Sequence, residues 1–160
     1  MIDYYSVSIA EARRYGRVCE LPEGFRGISV WSLPLSSYDA EKKSDAKKAF
    51  IQSRMGAEAF QTYSDICCSM ARQTEAVTEK TDWYLSIAGI SPAYQSQGFG
   101  PQIIRPVLTE ADAADIGSYL ETFTERNMPF YARLGYQVIA SFEEPVIGAR
   151  YWVMRRPPAG

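Results

Sequence analysis

The sequence predicts an α/β (α+β) chain, a sheet flanked by helices, and three observations carry that expectation. Two β-prone runs, residues 17–21 and 27–33, flank Pro22-Glu23-Gly24-Phe25 and read as a hairpin. The apolar run from Trp83 to Ile90 has the length of one buried strand, and a glycine-bearing loop and a helix start follow it. Between hairpin and strand, residues 37–76 read as two helices with a break near Gly56.

In chain order, residues 1–16 place Ile2, Tyr5, Ile9 and Ala12 at helical spacing, and Gly16 is a suitable helix end. The hairpin follows, its second strand stopped by Pro34. The first helix of the pair carries Lys42, Lys43, Lys47 and Lys48, a run that reads as a solvated helix face in preference to an anion site. In the second helix Phe60, Tyr63, Ile66, Cys67 and Met70 form a stripe expected to face the core, with Cys67 and Cys68 as buried packing. Residues 73–82 make a polar linker. After Gly100, Ile103, Ile104, Val107 and Leu108 share one helix face, with Pro106 as an expected kink. Residues 118–122 form a short strand, 125–134 a short helix limited by Pro129, and 136–142 and 150–154 two final strands around a turn at 145–148. Trp83, Tyr84 and Trp152 read as core or pocket wall.

Composition narrows the function. At 160 residues the chain fits one domain, 1–160, able to bury roughly two-thirds of its unfolded surface. A net charge of −2 argues against nucleic-acid binding through bulk charge. No apolar run reaches about 20 residues and no signal-like leader opens the chain, so a soluble, cytoplasmic protein without membrane contact is expected. There is no histidine, which removes Ser-His and Cys-His nucleophilic sites and any His-bound metal, and the three cysteines lack metal-site spacing.

The organising stretch is WYLSIAGISPAYQSQGFG, residues 83–100. A strand, a glycine-bearing loop and a helix N-terminus together favour phosphate, because first-turn N–H groups point outward and the helix dipole attracts an anion. A P-loop would need G-x-x-x-x-G-K-S/T, and no Lys-Ser or Lys-Thr pair follows these glycines. A Rossmann turn would need a third glycine where Ile103 stands. The motif present is Gln95-Ser96-Gln97-Gly98-Phe99-Gly100. Thirty residues on comes Asn127-Met128-Pro129-Phe130-Tyr131-Ala132-Arg133-Leu134-Gly135-Tyr136, just after Tyr119-Leu120-Glu121-Thr122.

The first motif resembles the acyl-CoA signature Q/R-x-x-G-x-G/A of the GNAT acetyltransferase superfamily, and the second its N-x-x-x-Y-x-K/R-x-G-F/Y stretch. The resemblance is specific over 83–156 and looser over 17–35. It implies a mixed, mostly antiparallel sheet flanked by helices. It also implies an N-acetyltransferase that moves acetyl from acetyl-CoA to a primary amine of a small molecule or peptide, by direct transfer through a tetrahedral intermediate and with no metal. The chain departs from the family in having only about sixteen residues before the hairpin, where a strand and one or two helices usually stand. The missing edge leaves a place where two copies could pair as a homodimer.

By the same resemblance, the backbone N–H near Ile90 faces the thioester oxygen, Gln97, Gly98, Phe99 and Gly100 supply N–H donors to the pyrophosphate, and Gln95 and Ser96 belong to the same cofactor-binding loop. Asn127 bonds the pantetheine arm, Tyr131 protonates the departing thiolate, and Glu121 is the candidate base. Each has a plainer alternative: Tyr131 as a core tyrosine, Glu121 as a solvated or substrate-orienting carboxylate. Arg105, Arg126 and Arg133 lie near enough in sequence to meet a CoA phosphate, and none is assigned. The rival to an enzyme is a regulatory module that binds CoA without turnover; a nucleotide-binding domain is a distant third.

Overall fold

The computed structural model describes residues 2–159, the side chains of Ile2, Asp3 and Met55 excepted. Helix α1 (Ile2–Tyr15) runs directly into β1 (Gly16–Glu20), which pairs antiparallel with β2 (Gly27–Ser32). The helical segment α2 (Ser37–Glu75) starts where the Ser36 hydroxyl accepts the Asp39 N–H at 3.2 Å. It breaks at Gly56, whose φ of 81° is open to glycine and strained for other residues. Then come β3 (Trp83–Ile90), α3 (Gly100–Ala113), β4 (Ser118–Thr122), α4 (Met128–Ala132), β5 (Gln137–Glu144) and β6 (Ala149–Arg156). Every element expected from the sequence is present within a few residues, and Pro106 sits inside α3 without ending it.

The sheet order is β1-β2-β3-β4-β6-β5, antiparallel throughout except for β3 and β4, which run parallel. Alternation along the strands gives the sheet two unlike faces. On one face Trp31, Leu85, Leu120 and Met154 meet Ile103, Ile104, Val107 and Leu108 of α3 and Tyr136 beyond α4. These side chains are at most 4% exposed, so each contributes roughly 1.5–3 kcal/mol of burial. This is the main core.

The opposite face carries α1 and α2, and here two expectations are corrected. The stripe Phe60, Tyr63, Ile66 and Met70 is only half-buried, and Cys67 and Cys68 are exposed, so neither cysteine is core packing. Tyr63, Cys67 and Cys68 instead line a cavity between the helices and the sheet. Lys43 and Lys47 turn into the same cavity, so the lysine run is not a uniformly solvated face.

The root of the β3–β4 pair is held by polar ties. Arg155 of β6 grips Asp82 with two bonds, at 2.6 and 3.0 Å, and the Trp83 N–H donates to the Gly117 carbonyl at 3.0 Å. Ser118 and Tyr136 share a buried hydroxyl pair at 2.9 Å. Arg156 fastens the last turn of α3 through Asp112, at 2.6 and 2.8 Å.

Candidate active site

Above that root the two parallel strands part. They pair only at Trp83–Ser118 and Tyr84–Tyr119, while β3 continues to Ile90. Its other edge stays paired with β2 as far as Gly27–Ile90, so residues 85–90 present one open edge of backbone N–H and C=O groups toward β4. Ala88 and Gly89 are exposed although they lie in a strand with neighbours on both sides. A groove of about 900 Å³ opens at this divergence, between the end of β3, the start of α3 and α4.

The loop from β3 to α3 closes one end of the groove. Its course is fixed by side chains returning to the backbone: Gln95 Nε2 to the Ile90 carbonyl, Gln97 Nε2 to Ala93, and the Tyr94 hydroxyl to Gly24 in the hairpin turn, at 2.9, 2.9 and 3.0 Å. Ser96 and Gly98 take positive φ, 62° and 82°. A Cβ at Gly98 would meet nothing within 4 Å, so conformation and not space calls for glycine there. At Gly100 the reason is contact, since a Cβ would lie 2.7 Å from the Phe130 ring of α4. Among the described residues no backbone carbonyl accepts from the N–H groups of Gln97, Gly98 or Phe99. Arg105, Arg126 and Arg133 also line the groove, and among the described residues no carboxylate does. None of the three forms an ion pair among the described residues. Free N–H groups and unpaired guanidinium groups around one groove suit a polyphosphate.

Tyr131 faces the groove from α4, half-buried between the rings of Phe130 and Tyr136 at 5.1 and 6.1 Å. Burial raises its pKa, so the phenol keeps its proton at neutral pH and can give it up to a stronger base. Ile90, Gln95, Ser96, Gly98, Phe99, Gly100, Asn127 and Tyr131 thus meet around one groove. The Gln97 side chain turns away to Ala93.

Glu121 does not line this groove. Its parity on β4 sends it to the helical face, where it accepts from the Tyr84 hydroxyl at 3.0 Å and from the Thr74 hydroxyl of α2. Tyr84 stacks on Tyr119 with ring centres 4.8 Å apart. Burial, then the charge of Glu121, raises the Tyr84 pKa, which keeps this bond a phenol-to-carboxylate one. Tyr84 also lines the cavity under α1 and α2, about 660 Å³ in volume. From the sequence Tyr84 reads only as core or wall, and Thr74 does not stand out. The missed signal was parity: Tyr84 is opposite Tyr119, so the side chain two residues further along β4 shares its face.

No protein-family model matches the chain. Solved structures do resemble it. A mosquito arylalkylamine N-acetyltransferase (like 5b) has a TM-score of 0.67 at 10% identity, with 98% of this chain and 81% of that one covered. Agmatine N-acetyltransferase gives 0.63 at 14%, with 89% and 76% covered. A histone acetyltransferase and related acetyltransferase from Corynebacterium glutamicum gives 0.58 at 20%, with 89% and 64% covered, so this chain spans less than two-thirds of that protein. The shared architecture is the GNAT acetyltransferase fold, and the fold class expected from the sequence holds.

Proposed function

We propose that this chain is an acetyl-CoA-dependent N-acetyltransferase whose donor lies in the groove where β3 parts from β4. The observation that carries the reading is convergence: an open strand edge, the unclaimed N–H groups of Gly98 and Phe99, three arginines without an ion pair among the described residues and a protonated tyrosine all border one groove. Pantetheine amides pair with the free edge of β3, and pyrophosphate is held by the N–H groups of Gln97, Gly98 and Phe99 with Ser96 and Gly100 shaping the turn. Asn127 lies beside the pantetheine arm. Gln95 ties the loop to the strand end at Ile90.

Bound acetyl-CoA supplies an activated thioester; the chain supplies position and proton management. The Ile90 region directs an N–H at the carbonyl oxygen, which gains negative charge as the amine nitrogen bonds to the carbonyl carbon. Tyr131 holds the proton that passes to sulfur as the carbon–sulfur bond breaks. Glu121, on the helical face and bonded to the Tyr84 hydroxyl, takes through water the proton that the amine loses. The products are an amide and the free thiol. The amine substrates named for the arylalkylamine and agmatine enzymes that share the fold support an amine acceptor here.

Two measurements test the reading together: calorimetric binding of CoA, and thiol release from acetyl-CoA against a panel of primary amines. Binding with turnover is expected. Binding without turnover on any amine would favour the regulatory alternative, and absence of both would remove the groove assignment. CoA and desulfo-CoA should raise the melting temperature nearly equally, because the donors lie along pyrophosphate and pantetheine; at a hundred times its dissociation constant a ligand adds about 2.7 kcal/mol.

A further inference from the structure

The cavity under α1 and α2 holds an unbalanced charge. Lys43 and Lys47, one turn apart, both reach Glu11 of α1, at 3.4 and 3.8 Å. Glu11 is the only carboxylate lining that cavity among the described residues. The three side chains are 22%, 14% and 17% exposed. A third lining lysine, Lys48, is 57% exposed and lies 3.9 Å from Asp45, so it belongs to the surface. The remaining partners are neutral. Lys43 donates to Ser32 Oγ at 3.2 Å, Lys47 donates to Ser8 Oγ at 2.6 Å, and the Lys47 ammonium sits 4.5 Å from the centre of the Tyr4 ring.

Hydroxyls and a ring face solvate an ammonium without neutralising it. Two cations sharing one carboxylate leave one positive charge on mostly buried side chains, and a buried charge is costly without a counter-ion. The strain registers at Lys47, whose pKa is lowered by burial, with Lys43 adding to the lowering and Glu11 only partly opposing it. Tyr84, Ser86 and Ile87 of β3 also line the cavity, and Tyr84 lies opposite Ser32, the residue that accepts from Lys43. Tyr84 is the last residue of β3 paired with β4, and its hydroxyl meets Glu121. The cation pair on α2 and the point where the sheet opens therefore border one cavity.

We infer that this cavity takes the acyl acceptor, and that the acceptor is an amine carrying a carboxylate, its carboxylate held between Lys43 and Lys47 and its amine directed at β3 beside Tyr84. The inference rests on the acetyltransferase reading. It separates this chain from the fold-sharing enzymes named for arylalkylamines and agmatine, compounds without a carboxylate. A volume of about 660 Å³ is in the range of small-ligand sites and has room for an amino acid.

The test uses matched pairs that differ by one carboxylate: arginine against agmatine, and tryptophan against tryptamine. Thiol release from acetyl-CoA should show kcat/KM higher for the acid than for the decarboxylated amine by about tenfold or more, the scale of a hydrogen-bonded charge pair. Lys47→Met should collapse that ratio toward one, and Lys47→Arg should restore much of it; Lys43→Met serves if the first variant does not fold. Equal or reversed preference in the wild type would overturn the inference while leaving CoA binding, and so the enzyme reading, intact. An unchanged ratio in both methionine variants would overturn it too. If no pair member is turned over, thermal shifts with each member at millimolar concentration decide, and equal shifts count against the site. Absence of CoA binding would instead sink the enzyme reading, and the anion site would then stand or fall on those shifts in the free protein.

Discussion

The groove and the cavity lie on opposite faces of one sheet and are made in different ways. The groove is largely backbone: an unpaired strand edge, a loop with two positive-φ residues and a helix start, nearly all drawn from residues 88–105 and 124–134. The cavity is made of side chains from α1, β2, α2 and β3, brought together from across residues 4–87. A site built on backbone needs glycines and turn formers at fixed local spacing, so it marks the sequence. A site built from side chains on distant elements needs only that each point the right way, and leaves no local pattern.

The two sites share a root, and the largest effect should come from breaking it. Asp82 is buried and is gripped twice by Arg155, and its Oδ2 also accepts the Glu79 N–H at 3.0 Å. Asp82→Ala removes one partner of a buried pair, a change that costs about 3–5 kcal/mol when the survivor is fully enclosed. The Arg155 side chain is 27% exposed and can reach water, so a loss of about 2–3 kcal/mol is expected, roughly 4–12 °C in melting temperature. CoA affinity should fall with it, because Asp82 anchors the start of the strand that borders the groove. A variant as stable as wild type would show that the strand divergence does not depend on this clamp.

On the groove side alone, Tyr131→Phe keeps the ring between Phe130 and Tyr136 and removes only the hydroxyl. General-acid assistance is typically worth 10²–10⁴-fold, but a thiolate with pKa near 8.5 leaves tolerably unaided, so kcat should fall by about tenfold to a few hundredfold. The Michaelis constant for acetyl-CoA should move much less, because the hydroxyl acts late. Steady-state kinetics on one accepted amine separates the two quantities. A near-normal kcat would reduce Tyr131 to packing.

Gly98 gives a smaller effect and tests whether the loop works through backbone alone. Gly98→Ala adds a Cβ into open space but strains a φ of 82°, while Gly98→Glu adds a carboxylate beside the free N–H groups. CoA affinity by calorimetry should fall about tenfold or more for glutamate, and less for alanine, at the rate of about 1.4 kcal/mol per tenfold. Equal losses would assign the whole effect to backbone strain, and unchanged affinity in the glutamate variant would remove pyrophosphate from this loop.

Legibility in the sequence followed the same division. The hairpin, the break at Gly56, the strand from Trp83 and the short strand 118–122 were all readable, because each is bounded by a local signal. So was the groove, since residues 95–100 and 127–131 carry contiguous motifs. The helical face was not. The lysine run mixes the enclosed Lys43 and Lys47 with Lys48, which points to solvent, and only the fold of α2 back over α1 separates them. The stripe from Phe60 to Met70 has core periodicity, yet a cavity wall and a core wall demand the same spacing of apolar residues. Glu121 was found as a candidate, but its partners Thr74 and Tyr84 come from 47 and 37 residues away and depend on sheet pairing.

The smallest expected effect concerns acid, and it too falls on the groove side. Asp112, at the end of α3, accepts both Arg156 bonds and the Ala159 N–H at 2.8 Å. The Arg156 bonds hold its carboxyl below the usual carboxylate range, with burial opposing them in part. In the unfolded chain the pKa returns to about 3.9, so folding favours the ionised form. The pair's contribution is therefore complete above about pH 4 and is lost as pH falls through the lower, folded value. With no histidine in the chain, no side chain of ordinary pKa titrates between about pH 5 and 8 to mask this. Asp112→Asn keeps the shape and removes the charge. The Asp112 and Arg156 side chains are 23% and 13% exposed, so the pair is worth about 0.2–1 kcal/mol, toward the upper end for a bidentate geometry. Melting temperatures of wild type and variant should differ by a constant small amount from pH 7 to 5 and converge below pH 4. A gap that stays constant down to pH 2, or widens in acid, would show that the carboxylate's charge is not what ties α3 to β6.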